Sequence, residues 1–543
     1  MLRFLFCFLF PLILVPMLAA QDFESAIYRL YGDASVVSSL DETDLWRLQH
    51  YYSSPLRLND CNKSALVRCG LFSPYQVASI LDYRERMGEI LSVAELALVD
   101  GFGEYLAEAL APFLSFEKST GKPAAGTSVN ATGQFRAKKD AAAWLGRVKA
   151  ETSWADAALA ARTVYSDKDL WPPSARAFYV GADYGRVRVV AGDFAFRFGQ
   201  GLAAWSGMSF SGATTPLALY KRGSGIVGST SLAGSSVRGA AAIISWKRLI
   251  LSPFWAKGPG GNLSWLLPVG QFGISYYDSV ASADCRFCFS GIDIFAEAAV
   301  EMKKALAGLC GAVFPIGERG RLGFQGRYYP AGFSGKHSGA LRTWSKTSDE
   351  SGITLSYGCG DLAASADFAC RLSQKRKQLK IIVSDIFKIS PVWALKLKAQ
   401  YRTRDYGNGR TRSELRSDLC YTRPSYAVNL RLDAVHCDKT GFLSYAESGI
   451  GPEKGNRLWL RATLFWVDKW NDRVYSYERD APGSFLVPSY YGRGFAASAY
   501  YKAKFSLGRR GSLSCYARVS FTGYWKNKKP SEPELRLSVA YSY

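Results

Sequence analysis

The chain is poor in the residues on which most active sites are built. It has three histidines, His50, His337 and His436, and its 11 cysteines form no repeated ligand spacing; Cys285-Arg-Phe-Cys288 stands alone. A single C-x-x-C with so few histidines points away from a zinc site and reads as a small disulfide or as plain packing. No G-x-S-x-G, P-loop or H-E-x-x-H is present. His337 has Ser334, Ser338 and Ser345 nearby, and His436 stands beside Asp433 and Asp438. Both read as loop or strand-end histidines rather than general bases, so no catalytic, cofactor-binding or metal-binding residue is assigned.

Long apolar runs are also missing. After residue 20 nothing reaches the ~18 uncharged apolar residues of a membrane helix, which excludes a helical membrane bundle. The one apolar run, Phe4 to Leu18 behind Arg3, is shorter than the ~20 residues of a spanning helix and contains Pro11 and Pro16. With Leu18-Ala19-Ala20 before Gln21, it reads as a secretory signal peptide over residues 1–20. The absence of a cysteine at that point argues against a lipoprotein anchor.

What the chain does have is charge of two signs, segregated. Residues 21–118 carry 8 Lys and Arg against 15 Asp and Glu, whereas residues 119–543 carry 59 against 31. A net of −7 beside a net of +28 marks two domains, with a linker over 119–128.

From Val129 onward the apolar period is two. In "WLGRVKAE", Trp144, Gly146, Val148 and Ala150 share one face, and Arg147 and Lys149 the other. In "VWALKLKAQYRTR", Trp393, Leu395, Leu397 and Tyr401 oppose Lys396, Lys398 and Arg402, and Arg431 lies opposite Leu430 and Leu432. A soluble sandwich alternates too, but these runs reach ten residues or more. Globular strands average ~5–6, whereas an outer-membrane strand needs ~9–11. Aromatic residues near the run ends suit interfacial girdles, and the repeated Lys and Arg suit a hydrated lumen. In hydrocarbon a sheet must close on itself. The expectation is an all-β transmembrane antiparallel barrel over 129–543, of about 16–18 strands at ~22–27 residues for each strand and its share of loops. Arg147, Lys149, Lys396, Lys398, Arg402 and Arg431 form its expected basic lumen face.

The last ten residues, "ELRLSVAYSY", alternate to the final Tyr543. The expectation is that this strand pairs with the first, and that its aromatic end is read by the barrel-assembly machinery. Two stretches break the alternation, 192–216 and 485–494, both rich in glycine and aromatics. They read either as inward-folded loops, with Asp193, Arg197, Gln200 and Trp205 as lumen residues, or as turns with glycine kinks.

The acidic region is helical, with a period of 3.6. Ser73-Pro74 is a helix start and Gly88 a stop, Ser92 to Glu95 spells a capping box, and Asp41 is a candidate cap for the helix before them. Residues 58–116, through "LND", "ILDYRERMG", "SVAELALVDGFG" and "LAPFL", resemble the helix-hairpin-helix domains of competence DNA receptors. That resemblance implies that Gly101-Phe102-Gly103 would offer backbone N–H groups to a phosphate, with Gly70 in an earlier, incomplete hairpin. Lys63, Arg84 and Arg86 are candidate local contacts. Taken with "GDFAFRFGQGLAAWSG" and "VPSYYGRG", the whole resembles a group of Bacteroidetes outer-membrane proteins with N-terminal helix-hairpin-helix domains. It implies an outer-membrane location, a periplasmic helical domain, and contact with lipid and lipopolysaccharide.

Because affinity for nucleic acid is mostly phosphate neutralisation by Lys and Arg, a domain of net −7 is a poor DNA binder. A docking or plug module against the basic barrel, or a protein-interaction module, fits its charge better. The function expected is that of a non-enzymatic barrel, a channel or envelope-assembly component with a basic lumen for anionic material. DNA uptake is the first alternative, and a lipid hydrolase using His337 or His436 the second.

Overall fold

The computed structural model describes residues 23–31, 42–119, 127–167, 169–207, 215–302, 305–317, 319–404, 410–452, 455–484, 486–508, 511–525 and 533–543. The expected signal peptide, Asp41 and most of the linker lie outside these residues.

Alternation translates directly into a two-faced sheet. In the strand Glu350–Cys359, Ile353 and Leu355 are 58% and 50% exposed, while Thr354 and Ser356 between them are 0% and 1%. The neighbouring strand Leu362–Arg371 keeps the register, setting Phe368 beside Ile353 on the outside and Asp367 beside Thr354 within. The sheet closes into an antiparallel barrel of 24 strands, from Ser128–Lys138 to Glu534–Ser542. Those two strands pair with each other through Leu537 and Phe135, and Val129 and Tyr543 exchange backbone hydrogen bonds of 2.9 and 3.1 Å. A short inner strand, Gly225–Gly228, pairs only with the end of Val187–Arg197, whose earlier part carries Val237–Trp246.

The expected 16–18 strands are thus too few. That number assumed long connections, whereas many turns are two residues. Ser290-Gly291 and Asp278-Ser279 have positive φ at both positions, the primed geometry that matches the twist of paired strands.

Turn length separates the two ends. At the end holding Ser128 and Ser542 the connections are tight, among them Gly185-Arg186, Lys247-Arg248 and Gly360-Asp361. The opposite end carries the long connections 163–174, 198–236, 330–349 and 468–491. Exposed aromatics ring both ends outside, with Trp154, Tyr184 and Trp246 at the first and Trp171, Trp255 and Trp525 at the second, the belts expected where a barrel meets two interfaces.

Among the described residues six α-helices precede the barrel: α1 (Phe23–Tyr31), α2 (Glu42–Ser53), α3 (Lys63–Arg68), α4 (Pro74–Met87), α5 (Val93–Leu98) and α6 (Gly103–Leu110). Ser73 and Gln76 form a full capping box at α4. At α5 only half of the expected box forms: Ser92 Oγ accepts from Glu95 N at 3.1 Å, but the Glu95 carboxylate accepts from Leu91 N. Asn59 ties the ends of the domain, donating to the carbonyls of Ile90 and Glu117 and accepting from Ile90 N. Leu58, Leu66, Phe72, Ile80, Leu96 and Phe113 form the core, and it continues without a break into Leu202, Leu219, Phe295 and Phe333 of the barrel and its loops.

A charge placed on the lipid face near the bilayer midplane costs about 2–4 kcal/mol, whereas an exposed position of a soluble sheet is nearly indifferent to it. Ile353→Arg is therefore expected to lower the urea midpoint of the barrel folded in bilayers, read from its heat-modifiable migration. An unchanged midpoint would mean that this face does not meet hydrocarbon.

Candidate functional site: the filled lumen

The lumen is occupied from both ends. The helices enter from the tight-turn end, and the start of α2 reaches strand residues near the long-loop end. Arg29 of α1 pairs with Asp361 in a barrel turn, and Lys388 joins the same carboxylate at 2.7 Å. Glu42 of α2 pairs with Arg162, and Arg68 of α3 donates to Ala155 O at 3.2 Å and lies 3.8 Å from Asp183. Tyr75 of α4 donates its hydroxyl to Pro268 O at 3.1 Å.

The central contact is Asp44, in the first turn of α2. It accepts from Arg47 at 3.1 Å on its own helix and from both terminal nitrogens of Arg197 on the barrel. Burial opposes its charge, yet Arg197 and Arg47 outweigh that and hold its carboxyl below the usual carboxylate range. His50, in the last turn of the same helix, stacks on Trp46. Burial, with help from Lys149 on the barrel, lowers its imidazole to about 4.

Two long connections fold inward from the opposite end. In 198–207, the backbone N–H groups of Gln200, Leu202 and Ala203 donate to the buried Glu297 carboxylate at 2.7, 3.0 and 3.4 Å. Gln200 also accepts from Lys221 N at 2.8 Å, and the Lys221 ammonium lies 4.1 Å over the Trp205 ring. In 468–491, Glu478 accepts from Arg518 and Tyr490, and Asp480 from Arg536. This segment runs down the lumen to α2: Gly483 N donates to Gln49, and Gln49 Nε2 donates to Ser484 O at 3.3 Å.

The predicted residues are distributed over these parts. Gln200 and Trp205 belong to the inward connection, whereas Arg197 ends the strand Val187–Arg197 and Asp193 lies within it and holds Arg238 at 2.9 Å; residues 208–214 and Phe485 of the two irregular stretches lie outside the described residues. Arg147 and Lys149 sit beneath α2, with Arg147 over the Trp46 ring and Lys149 paired with Glu151. Lys396, Lys398 and Arg431 line one cavity further round, and Arg402 lies up the same strand as Lys396.

Gly101 and Gly103 do form a hairpin, with φ of +81° and +67°, but it packs onto the barrel. A Cβ on Gly101 would fall 2.6 Å from the Tyr75 ring, and Arg321 of the barrel stands 3.4 Å from the Cβ position of Gly103. Phe102 is buried against Phe72, and Gly70 packs over Arg47. Arg84 is spent on the carbonyls of Cys61 and Asn59, and Arg86 on Asp82.

His337 bonds Asp278 at 2.9 Å and His436 bonds Thr440 at 3.2 Å, and neither has a serine partner among the described hydrogen bonds. Cys285 and Cys288 are both free thiols; three apart on one strand, they point to opposite faces. Asp44, Gln49, Glu297, Asp361 and Glu478 were not singled out from sequence. Glu297 had a signal, an acidic residue at an inward position of "IFAEAAV".

No family model and no curated protein matches the chain. Among solved structures it is similar to the outer membrane protein opdK of Pseudomonas aeruginosa, at 10% identity and TM-score 0.31, over 77% of this chain and 98% of that one. It is also similar to OccK5 (OpdH) of the same organism, at 10% and 0.30 over 77% and 97%. The P pilus usher (PapC) translocation pore matches at 10% and 0.36, over 77% and 99%. At such low scores these likenesses weigh nothing in the functional reading, which rests on the lumen itself.

His50 and Asp44 give the helical dock a pH dependence. His50 is about 4 when docked against an ordinary 6.5, so the undocked state binds more protons between those values and the dock weakens as pH falls from 6.5 to 4, by up to about 1.4 kcal/mol per unit. Asp44, whose carboxyl is lowered, contributes above the ordinary carboxylate range and is lost only at lower pH. Protease accessibility of the helices in liposomes should rise through this window, and His50→Gln should flatten the upper part of the curve. Asp44→Asn, which leaves Arg197 and Arg47 uncompensated, should weaken the dock at every pH by about 3–5 kcal/mol.

Proposed function

We propose that the chain is an outer-membrane channel whose helical domain acts as a periplasmic plug, and that it passes anionic material through a basic lumen when the plug is displaced. The carrying observation is the nature of the seal. A 24-stranded ring is wider than its side chains can fill, and it is filled by a domain and loops held through hydrogen bonds and ion pairs. Such contacts exchange for water at modest cost, and the apolar continuity with Leu202, Leu219, Phe295 and Phe333 holds the domain on one flank only.

Orientation follows from turn length. Outer-membrane barrels keep short turns on the periplasmic side, and the helices lie at that end. A domain of net −7 against a barrel region of net +28 is the charge arrangement of a docked module. Gly103 of the hairpin abuts Arg321, so phosphate capture by the hairpin would require the domain to leave its seat. Docking is the simpler use of the same surface.

Charge reversal tests the reading in the full chain. Glu42→Arg with Asp44→Arg would face Arg162 and Arg197 with like charge. In planar bilayers the unaltered protein should be nearly silent, and the double variant should give steady anion-selective conductance. A variant whose helices become protease-sensitive while conductance stays absent would overturn the channel assignment.

A further inference from the structure

Among the described residues every ladder of the barrel wall runs without an interior break except one. Leu249–Trp255 pairs with Val237–Trp246 from Leu249–Trp246 to Leu251–Ile244, and again at Phe254–Ala241 and Trp255–Ala240. The two pairs between, Ser252 with Ile243 and Pro253 with Ala242, are missing.

Proline accounts for the gap. The two-residue turn Lys247-Arg248 makes Trp246 and Leu249 a hydrogen-bonded pair, and every second pair after it turns its N–H and C=O groups toward one another. Ala242 and Pro253 are such a pair. The phase agrees with Ser245, whose N–H points the other way and donates to Arg186 O at 2.9 Å. Pro253 has no N–H, so the Ala242 carbonyl loses its strand donor. The position lies between Trp246 and Trp255, which mark the two interfaces. The missing bond therefore falls in hydrocarbon, where no water replaces it.

Behind the gap the wall is hollow and apolar. Ile243 and Ser252, its inward residues, line a cavity of about 100 Å³ that Val67 of α3 and Pro74, Val77 and Ala78 of α4 close from the other side. Toward the long-loop end, Phe194, Phe196, Phe254 and Tyr277 form an apolar cluster with Ala241, whereas the wall around Thr354 and Asp367 is polar. Apolar surface on both sides of a break makes a continuous path for an alkyl chain.

The same cavity carries two ammonium groups, Lys63 at the start of α3 and Lys247 in the turn. Neither has an ion pair among the described residues, and the charge acting on Lys63 is that of Arg186, another cation. At about 100 Å³ the cavity is smaller than the ~300–1,000 Å³ of sites that enclose a small ligand. It has room for a head group and a few carbons, so a longer tail must leave through the wall.

We infer that the wall parts between Val237–Trp246 and Leu249–Trp255 to admit a membrane amphiphile, its acidic head against Lys63 and Lys247 and its acyl chain lying through the gap into the bilayer. Seated helices are required, since α3 and α4 close the cavity; a conducting lumen is not.

The full chain in liposomes is given palmitate carrying a mid-chain diazirine, irradiated, and digested for mass spectrometry. Adducts should concentrate on the inward residues of 241–254 and on 67–78. Unlabelled palmitate or lysophosphatidylglycerol, below its lytic concentration, should displace them, and hexadecyltrimethylammonium should not. Which acid displaces better distinguishes a carboxylate head from a phosphate. Pro253→Val restores the missing donor and should lower inward labelling about tenfold, the worth of one hydrogen bond, with heat-modifiable migration confirming the fold. Lys63→Gln, outside the wall, should weaken displacement by the acids about tenfold and leave outward labelling unchanged. Amide exchange over 240–255 should run about tenfold faster than over 281–300, and Pro253→Val should remove the difference. Labelling confined to outward residues, equal displacement by the cationic probe, or indifference of labelling and exchange to these variants would overturn the inference.

Discussion

Hydrocarbon offers no partner for a peptide N–H or C=O, and everything in this molecule follows from satisfying them. A sheet in that setting must close, and here it closes at 24 strands. Closure at that circumference creates a second problem, since a ring so wide leaves a lumen that inward side chains do not fill. The chain fills it with itself, helices from one mouth and the described parts of two long connections, 198–207 with 215–236 and 468–484 with 486–491, from the other. The inward strand faces are accordingly polar and buried, as with Thr354, Asp367 and Arg327, which bond one another in the wall. The outer faces carry apolar bulk, as with Ile353, Leu355 and Phe368.

Filling by polar contact differs in kind from filling by apolar contact. A buried ion pair loses nearly as much in desolvation as it gains in attraction, yet it is expensive to break from one side only. Asp44 between Arg47 and Arg197 is such a pair: it fixes where α2 sits without making the seat strong. The apolar continuity from Phe72 and Leu106 to Phe295 and Phe333 supplies the rest of the hold on one side of the lumen. On the other side, around Lys396 and Arg457, the filling stops and a larger cavity remains. The dock is thus tight on one flank and open on the other.

Much of this was legible in the residues. A period of two, with Arg147 and Lys149 opposite Val148, is a local property that requires only one strand to be seen. So are the caps at Ser73 and Ser92. Strand number was not legible, because it depends on turn length, and turns such as Asp278-Ser279 carry no residue that announces a two-residue loop. The stretch 192–216 stayed ambiguous for a related reason. Glycine serves a kink and an inward loop equally, and only the partner decides: Glu297, almost a hundred residues away, gathers three N–H groups of that loop. The dock itself is written nowhere locally. Gln49 and Ser484 are 435 residues apart, and only the opposite net charges of the two regions hint that they meet.

That last contact also bears on how the two ends communicate. The connection 468–491 leaves the barrel at the long-loop end, is held midway by Arg518 on Glu478 and Arg536 on Asp480, and ends on the side chain of Gln49 in α2. Its middle residues, Tyr477, Arg479 and Asp480, also form one wall of the cavity beneath α1. Loop, cavity and helix therefore share residues, and no long chain of intermediaries separates them. Any group that prefers one arrangement of this segment must shift the others by the same free energy, since coupling between sites is reciprocal. A barrel wall of paired strands is too stiff to carry such a signal. The inward segment, held by side-chain contacts and by its own short pairing of Val474–Tyr475 with Ser489–Tyr490 rather than by a ladder to the wall, is the part of the structure able to do so.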